Sequence, residues 1–157
     1  MKRTFFHTMM MLVDVATLTL TSCSKEPEDL ILGEWNVTSA NQSATILGKT
    51  LNFDISQAFQ SFEFQEDGTC LMKGHKMKLD YQDGKLGLIF GEELESTTCT
   101  YTINGNNLEL VGSSIVDFPL IFNIDLLERK EMNLSLSESI SKLGISIDIT
   151  MNIAMEK

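Results

Sequence analysis

Cys70, Met72, His75 and Met77 put four soft or borderline metal ligands within eight residues. Thiolate, thioether and imidazole together suit copper. The alternation argues against a shared site. Cys70, Met72 and Met77 fall on faces that also carry phenylalanines, whereas Gly74-His75-Lys76 reads as an exposed turn. The expectation is therefore core packing with a surface histidine, and neither metal nor cofactor. Glu92, Glu93 and Glu95 form an acidic run, but the regular oxygen spacing of a calcium loop is missing, and the run reads as a solvated loop between strands. A Ser-His-acid set has only His75 to draw on once the N-terminal segment is discounted, and no glycine-rich phosphate loop or Cys-x-x-Cys pair is present. Paired carboxylates for glycoside hydrolysis would have to project inward, and no acidic residue sits at a position patterned as interior. The sequence is not that of an enzyme with a recognisable catalytic set.

The third cysteine has a different setting. Leu20-Thr21-Ser22-Cys23 follows Lys2, Arg3 and a mostly apolar run from Phe5 to Leu20, interrupted by His7 and Asp14. A charged start, a greasy middle and small residues at the cut are the parts of a secretory signal. A cysteine directly after the cut makes it a bacterial lipobox. Residues 1–22 are expected to be removed, Cys23 to carry fatty acyl chains such as palmitate, and residues 23–29 to tether the lipid to a domain spanning 30–157. The apolar run is too short and interrupted to cross a membrane as a helix, which takes about 20 residues. Removing 22 of 157 residues leaves 135, enough for one domain with a core. Lys2, Arg3 and Asp14 leave with the signal, so 12 basic and 22 acidic residues become 10 and 21, a net charge of −11. Nucleic acid and anionic headgroups are repelled by such a surface. Cys70 and Cys99 remain as candidates for a disulfide in an exported protein; a hairpin separates their strands, so they would have to meet across the interior, and sequence leaves the pairing open.

The chain beyond Leu30 alternates. Trp35 and Val37 start a strand with one buried face, and residues 39–60 give mixed signals for strand or short helix. Phe62 and Phe64 face Met72 and Cys70 across a three-residue Glu66-Asp67-Gly68 loop. Met77, Leu79 and Tyr81 face Phe90, Leu88 and Leu86 across Asp83-Gly84. Tyr101 and Ile103 face Leu110 and Leu108 across an Asn-Gly turn. Leu120, Phe122, Ile124 and Leu126 face Met132, Leu134 and Leu136 across a loop at 127–131. Ser139 to Leu143 fits one helical turn ended by Gly144. Ile145, Ile147, Ile149, Met151, Ile153 and Met155 close the chain as a strand. The fold class is all-β: an antiparallel barrel of about 8–10 strands, with a two-sheet sandwich as the alternative.

Gly33-Glu34-Trp35 resembles the Gly-x-Trp signature of lipocalins. Phe64-Gln65-Glu66-Asp67-Gly68-Thr69-Cys70 and Tyr101-Thr102-Ile103-Asn104-Gly105-Asn106-Asn107-Leu108 resemble two hairpins of lipocalin-like lipoproteins of the Bacteroidetes type. Lys25-Glu26 resembles the charged tags that send some of those proteins to the cell surface. The resemblance implies a lipocalin-like barrel held on the cell outer membrane by its lipid, with the periplasmic or surface-facing side left open. The family has no well-defined activity. Lipocalins often pack an arginine across the signature tryptophan, and the only arginine after Cys23 is Arg129, in a turn.

Two functions compete. A carrier of a small apolar ligand would keep a cavity lined by Phe62, Phe64, Leu79, Tyr81, Phe90, Tyr101 and Phe122. A structural or protein-interaction module of the outer membrane would fill that space with side chains. An interior volume of about 300 Å³ or more separates them. For the address, Cys23→Ala is expected to release the protein from membranes or leave the precursor uncut. A normally processed variant that still fractionates with the outer membrane would refute lipidation at Cys23. Several acyl chains anchor firmly where one does not, at about 0.8 kcal/mol per buried methylene.

Overall fold

A computed structural model describes residues 26–82, 85–116, 119–142 and 145–157; for Leu79, Tyr81, Gln82, Leu86, Lys142 and Ile145 it describes the backbone alone. The expected signal, Cys23, the Asp83-Gly84 turn and Leu143-Gly144 lie outside the described residues. The elements are α1 (Pro27–Ile31), β1 (Gly33–Ile46), β2 (Lys49–Asp54), β3 (Ser61–Phe64), β4 (Thr69–Gln82), β5 (Lys85–Asn104), β6 (Asn107–Val111), β7 (Leu120–Leu127), β8 (Glu131–Lys142) and β9 (Ile145–Glu156).

Every neighbouring pair is antiparallel, and β1 also pairs with β9, which closes β1 and β3 to β9 into a ring of eight strands. This next-neighbour barrel is the arrangement that lipocalins use. The strand β2 stands outside the ring. It pairs with Asn41–Ile46 of β1, on the edge whose lower part, Gly33–Asn36, pairs with β3. The outer face of β8 and β9 is polar, with Asn133, Ser137, Asp148 and Asn152 alternating with buried Met132, Leu134, Leu136, Ile149, Met151 and Ile153. A membrane-spanning barrel would have the opposite pattern.

The end that carries α1 is closed. Pro27 opens the helix, and Glu28 and Asp29 sit in its first turn, where they suit the helix dipole. Pro27 to Asp29 were expected in the tether; helix geometry instead extends the ordered domain back to them, and Ile31 is fully buried. Trp35 Nε1 donates to the Ile31 carbonyl at 2.6 Å. Lys157 donates from Nζ to the Leu30 carbonyl at 2.8 Å and lies 4.5 Å from the Trp35 ring centroid. A lysine thus occupies the cationic place over the tryptophan that the resemblance gives to an arginine, and a cation over an indole face is attracted by the ring quadrupole. Phe62 lies opposite Trp35, and Phe59, Phe62 and Phe64 stack at centroid spacings of 5.9 and 6.2 Å, with Tyr101 meeting Phe64 edge-on at 5.0 Å.

The pairings expected across the 66–68, 83–84 and 105–106 turns all occur: Phe64 with Cys70, Tyr81 with Leu86, and Tyr101 with Leu110. Three expectations change. The acidic run and His75 are not in loops: β4 and β5 are each continuous, joined by register shifts at Met72/Gly74 and His75/Met77. Residues 139–142 are strand, paired with 145–148, because β9 offers them a full set of backbone partners and a lone helical turn would forfeit these. The β7–β8 connection is shorter than expected, pairing Leu127 with Met132, and a shift at Ile124/Leu126 restores Ile124 opposite Leu134.

Residues 55–60 continue the ring above the short strand β3. Ile55 N donates to the Ala40 carbonyl of β1, while Gln60 N donates to Lys73 O and His75 N to Gln57 O on the β4 side. The chain passes so close at Gly74 that a Cβ there would lie 1.8 Å from the Ala58 carbonyl oxygen. At Gly87, in β5, the nearest atom would be 3.9 Å away. Gly74→Ala is therefore expected to destabilise by about 3 kcal/mol or more in urea unfolding, and Gly87→Ala to change stability by less than about 1 kcal/mol. Equal midpoint shifts would show that residues 55–60 do not pack on β4.

Candidate functional site

The other end is open. Where β3, β6 and β7 have stopped, β1, β9 and β8 continue as one apolar face and β4 and β5 as another. Between them lies a cavity of about 480 Å³ lined by Gln42, Met77, Lys78, Val116, Pro119, Ile121, Leu136, Glu138, Ile140, Ile149 and Met151. Leu136, Ile149 and Met151 are buried in its wall, and Ile140 is 39% exposed. The segment 112–116 turns back over the packed half. Met77 N donates to the Ile115 carbonyl at 2.9 Å, Ser114 N donates to Thr97 Oγ1 at 3.3 Å, and Ile115 and Val116 are buried.

Gln42 is the polar feature of this wall. The register shift between Val37 and Ser39 changes which side chains of β1 face inward. Trp35 faces inward below it; Ala40, Gln42 and Ala44 are buried above it. Bulges commonly re-aim a side chain in this way. Gln42 lies opposite Met151 of β9, is 2% exposed, and its Oε1 has no hydrogen-bond partner. Leaving such an atom unpaired costs about 1–3 kcal/mol. Glu138 lines the same cavity from β8, opposite Ile149. It is solvent-exposed at the mouth of the cavity, on the face that Met132, Leu134 and Leu136 present inward further down the strand.

The expected lining residues occupy other places. Phe62, Phe64 and Phe122 are buried in the packed half. Tyr101 is half-buried at the closed end, where its hydroxyl donates to Gln65 O at 2.8 Å and burial pushes its pKa up. Phe90 is half-buried beside the core, opposite Met77. The backbone of Leu79 and Tyr81 continues β4 past Met77, and their side chains are outside the described set. None of the five described side chains lines the open cavity. Met77 does, and so do Leu136 and Ile140 of β8 and Ile149 and Met151 of β9.

Cys70 and Cys99 are direct cross-strand partners, not residues meeting across the interior. They are two free, buried thiols. Cys99 Sγ donates to the Cys70 carbonyl at 3.4 Å and to Met72 Sδ at 3.5 Å. The hydrogen bond with Cys99, and then burial, push the Cys70 thiol well up, while the same hydrogen bond draws the Cys99 thiol down; both sulfurs are buried, which denies them the exposed setting of a reactive thiolate. His75 Nδ1 lies 3.0 Å from the Gln57 carbonyl, a bond that holds the ring on the 55–60 segment. Among the described residues no three His, Cys, Asp or Glu side chains are grouped to hold a metal.

No protein-family model and no curated protein matches the chain. Among solved structures, the odorant-binding protein from bovine nasal mucosa is similar over 85% of this chain and 75% of that one, with 15% identity and a TM-score of 0.42. The complex of bovine odorant-binding protein with undecanal covers 85% and 74%, with 14% identity and a TM-score of 0.41. A deswapped triple mutant of the bovine protein covers 82% and 74%, with 14% identity and a TM-score of 0.38. Likeness at this level assigns neither a family nor a ligand to the chain.

Proposed function

We propose that this protein is a lipid-anchored, non-catalytic binder of a small apolar ligand, held in the open-end cavity on the cell outer membrane. The observation that carries the binding reading is the cavity itself. Its volume of about 480 Å³ and its apolar wall of Met77, Val116, Leu136, Ile149 and Met151 fall within the range of small-molecule sites. Burying a ligand there removes apolar surface from water at roughly 25 cal/mol per Å², while the packed half below contributes the rigidity. The lipoprotein reading rests on Leu20-Thr21-Ser22-Cys23 and the resemblance to lipocalin-like lipoproteins of the Bacteroidetes type. The side-chain-filled structural module is favoured by the lower half, where Trp35, Phe59, Phe62 and Phe122 leave no exposed surface. The unfilled upper half favours the carrier.

N-Phenyl-1-naphthylamine, whose fluorescence rises in apolar surroundings, tests the site. Trp35 is at the closed end and is a poor reporter of the open one. Wild type is expected to bind the probe, and the double variant Leu136→Trp/Ile149→Trp, which fills the cavity from two strands, to lose at least about tenfold in affinity with the barrel fold retained. Probe binding that is absent in wild type, or unchanged in a folded double variant, would contradict a ligand site here.

A further inference from the structure

We propose that Gln42 is the specificity-determining residue of the cavity, and that the ligand is an apolar chain bearing a hydroxyl or amide group rather than a pure hydrocarbon. This inference rests on the reading of the open-end cavity as a ligand site. A cavity meant only for hydrocarbon is best lined by hydrocarbon, and its neighbours on β1, Ala40 and Ala44, are apolar. Gln42 departs from that pattern. It is almost completely buried, it belongs to the cavity wall, and its Oε1 accepts no hydrogen bond from any described group. A buried acceptor of this kind costs stability, and methionine, of nearly the same shape, would avoid that cost.

The chemistry of the amide narrows the partner. A glutamine side chain presents one carbonyl oxygen and one NH₂ group, and either can be turned toward the cavity. A hydroxyl or a carboxamide both donates and accepts, so it satisfies Gln42 in either orientation. An ester, a halide or a carboxylate only accepts and leaves Oε1 unpaired. Sites built to hydrogen-bond a ligand group discriminate strongly against analogues lacking it, because the buried polar atom is then stranded. Glu138 and Lys78 also line this cavity, and their opposite charges bring no net preference for an ionised head group.

The test compares 1-octanol and octanamide with 1-chlorooctane as competitors of N-phenyl-1-naphthylamine, on wild-type protein and on Gln42→Met. The expected result is that Gln42→Met weakens octanol and octanamide by about tenfold, one hydrogen bond's worth in a desolvated site, and leaves 1-chlorooctane within about twofold. The free Gln42→Met protein is expected to unfold at the same or a higher temperature than wild type, which a purely structural glutamine would not allow. Equal weakening of all three competitors, no weakening of any, or a lowered melting temperature would overturn the role of Gln42 while the cavity still binds the fluorophore. If wild type binds neither the fluorophore nor any competitor, the ligand-site reading itself falls, and this inference with it.

Discussion

Backbone hydrogen bonds can close a barrel only over the height that every strand reaches. Here β3 has 4 residues and β6 has 5, against 14 in β4, 20 in β5 and 12 in β9. The ring is complete at the level of Trp35, Phe62, Leu108 and Phe122, and those side chains fill it. Above that level the strands on either side keep going without the short ones between them. On one side residues 55–60 carry the missing backbone pairing, bonded to Ala40 and to Lys73. On the other, residues 112–116 fold back toward β4 through the Ile115 carbonyl. What remains between the two tall faces is the cavity, so its place is set by strand length.

Closure also divides the chemistry of the molecule. The closed end is built from aromatic rings, with Trp35 tied to α1 through Ile31 and covered by Lys157. The cavity is built from Met77, Leu136, Ile149 and Met151, unbranched or aliphatic chains that adapt their shape more readily than rings. Cys70, Cys99 and Met72 belong to the first region and are packing groups there. Gln42 belongs to the second and has no comparable packing rationale.

Much of the fold was legible in the sequence, and the misses share one cause. Period-two alternation gave the hairpins at 62–72, 77–90 and 101–110 with the observed partners, and it gave β9 in full. Alternation fails at a bulge, where one extra residue changes which parity faces inward. In β4 the inward residues pass from Cys70 and Met72 to Met77, and in β5 from Phe90 to Cys99. Read along the chain, each change resembles the end of a strand, so two long strands appeared as four short ones with loops at His75 and Glu92. That split moved Cys70 and Cys99 apart when they are neighbours. The same effect at Val37/Ser39 made residues 39–46 look irregular and hid Gln42, whose neighbours alone do not show that it faces inward. The cavity was illegible for another reason: alternation marks a face as apolar, but not whether a partner strand is long enough to cover it.

Five methionines lie beyond Cys23, and they divide cleanly between the two regions: Met77 and Met151 line the cavity, and Met72, Met132 and Met155 are buried in the packed half. Methyl-resolved NMR of the methionines during titration with N-phenyl-1-naphthylamine therefore reads the central claim directly. The Met77 and Met151 methyl signals are expected to move while those of Met72, Met132 and Met155 stay in place. Shifts centred on Met72, Met132 and Met155, or saturable binding that moves neither Met77 nor Met151, would contradict a ligand site at the open end.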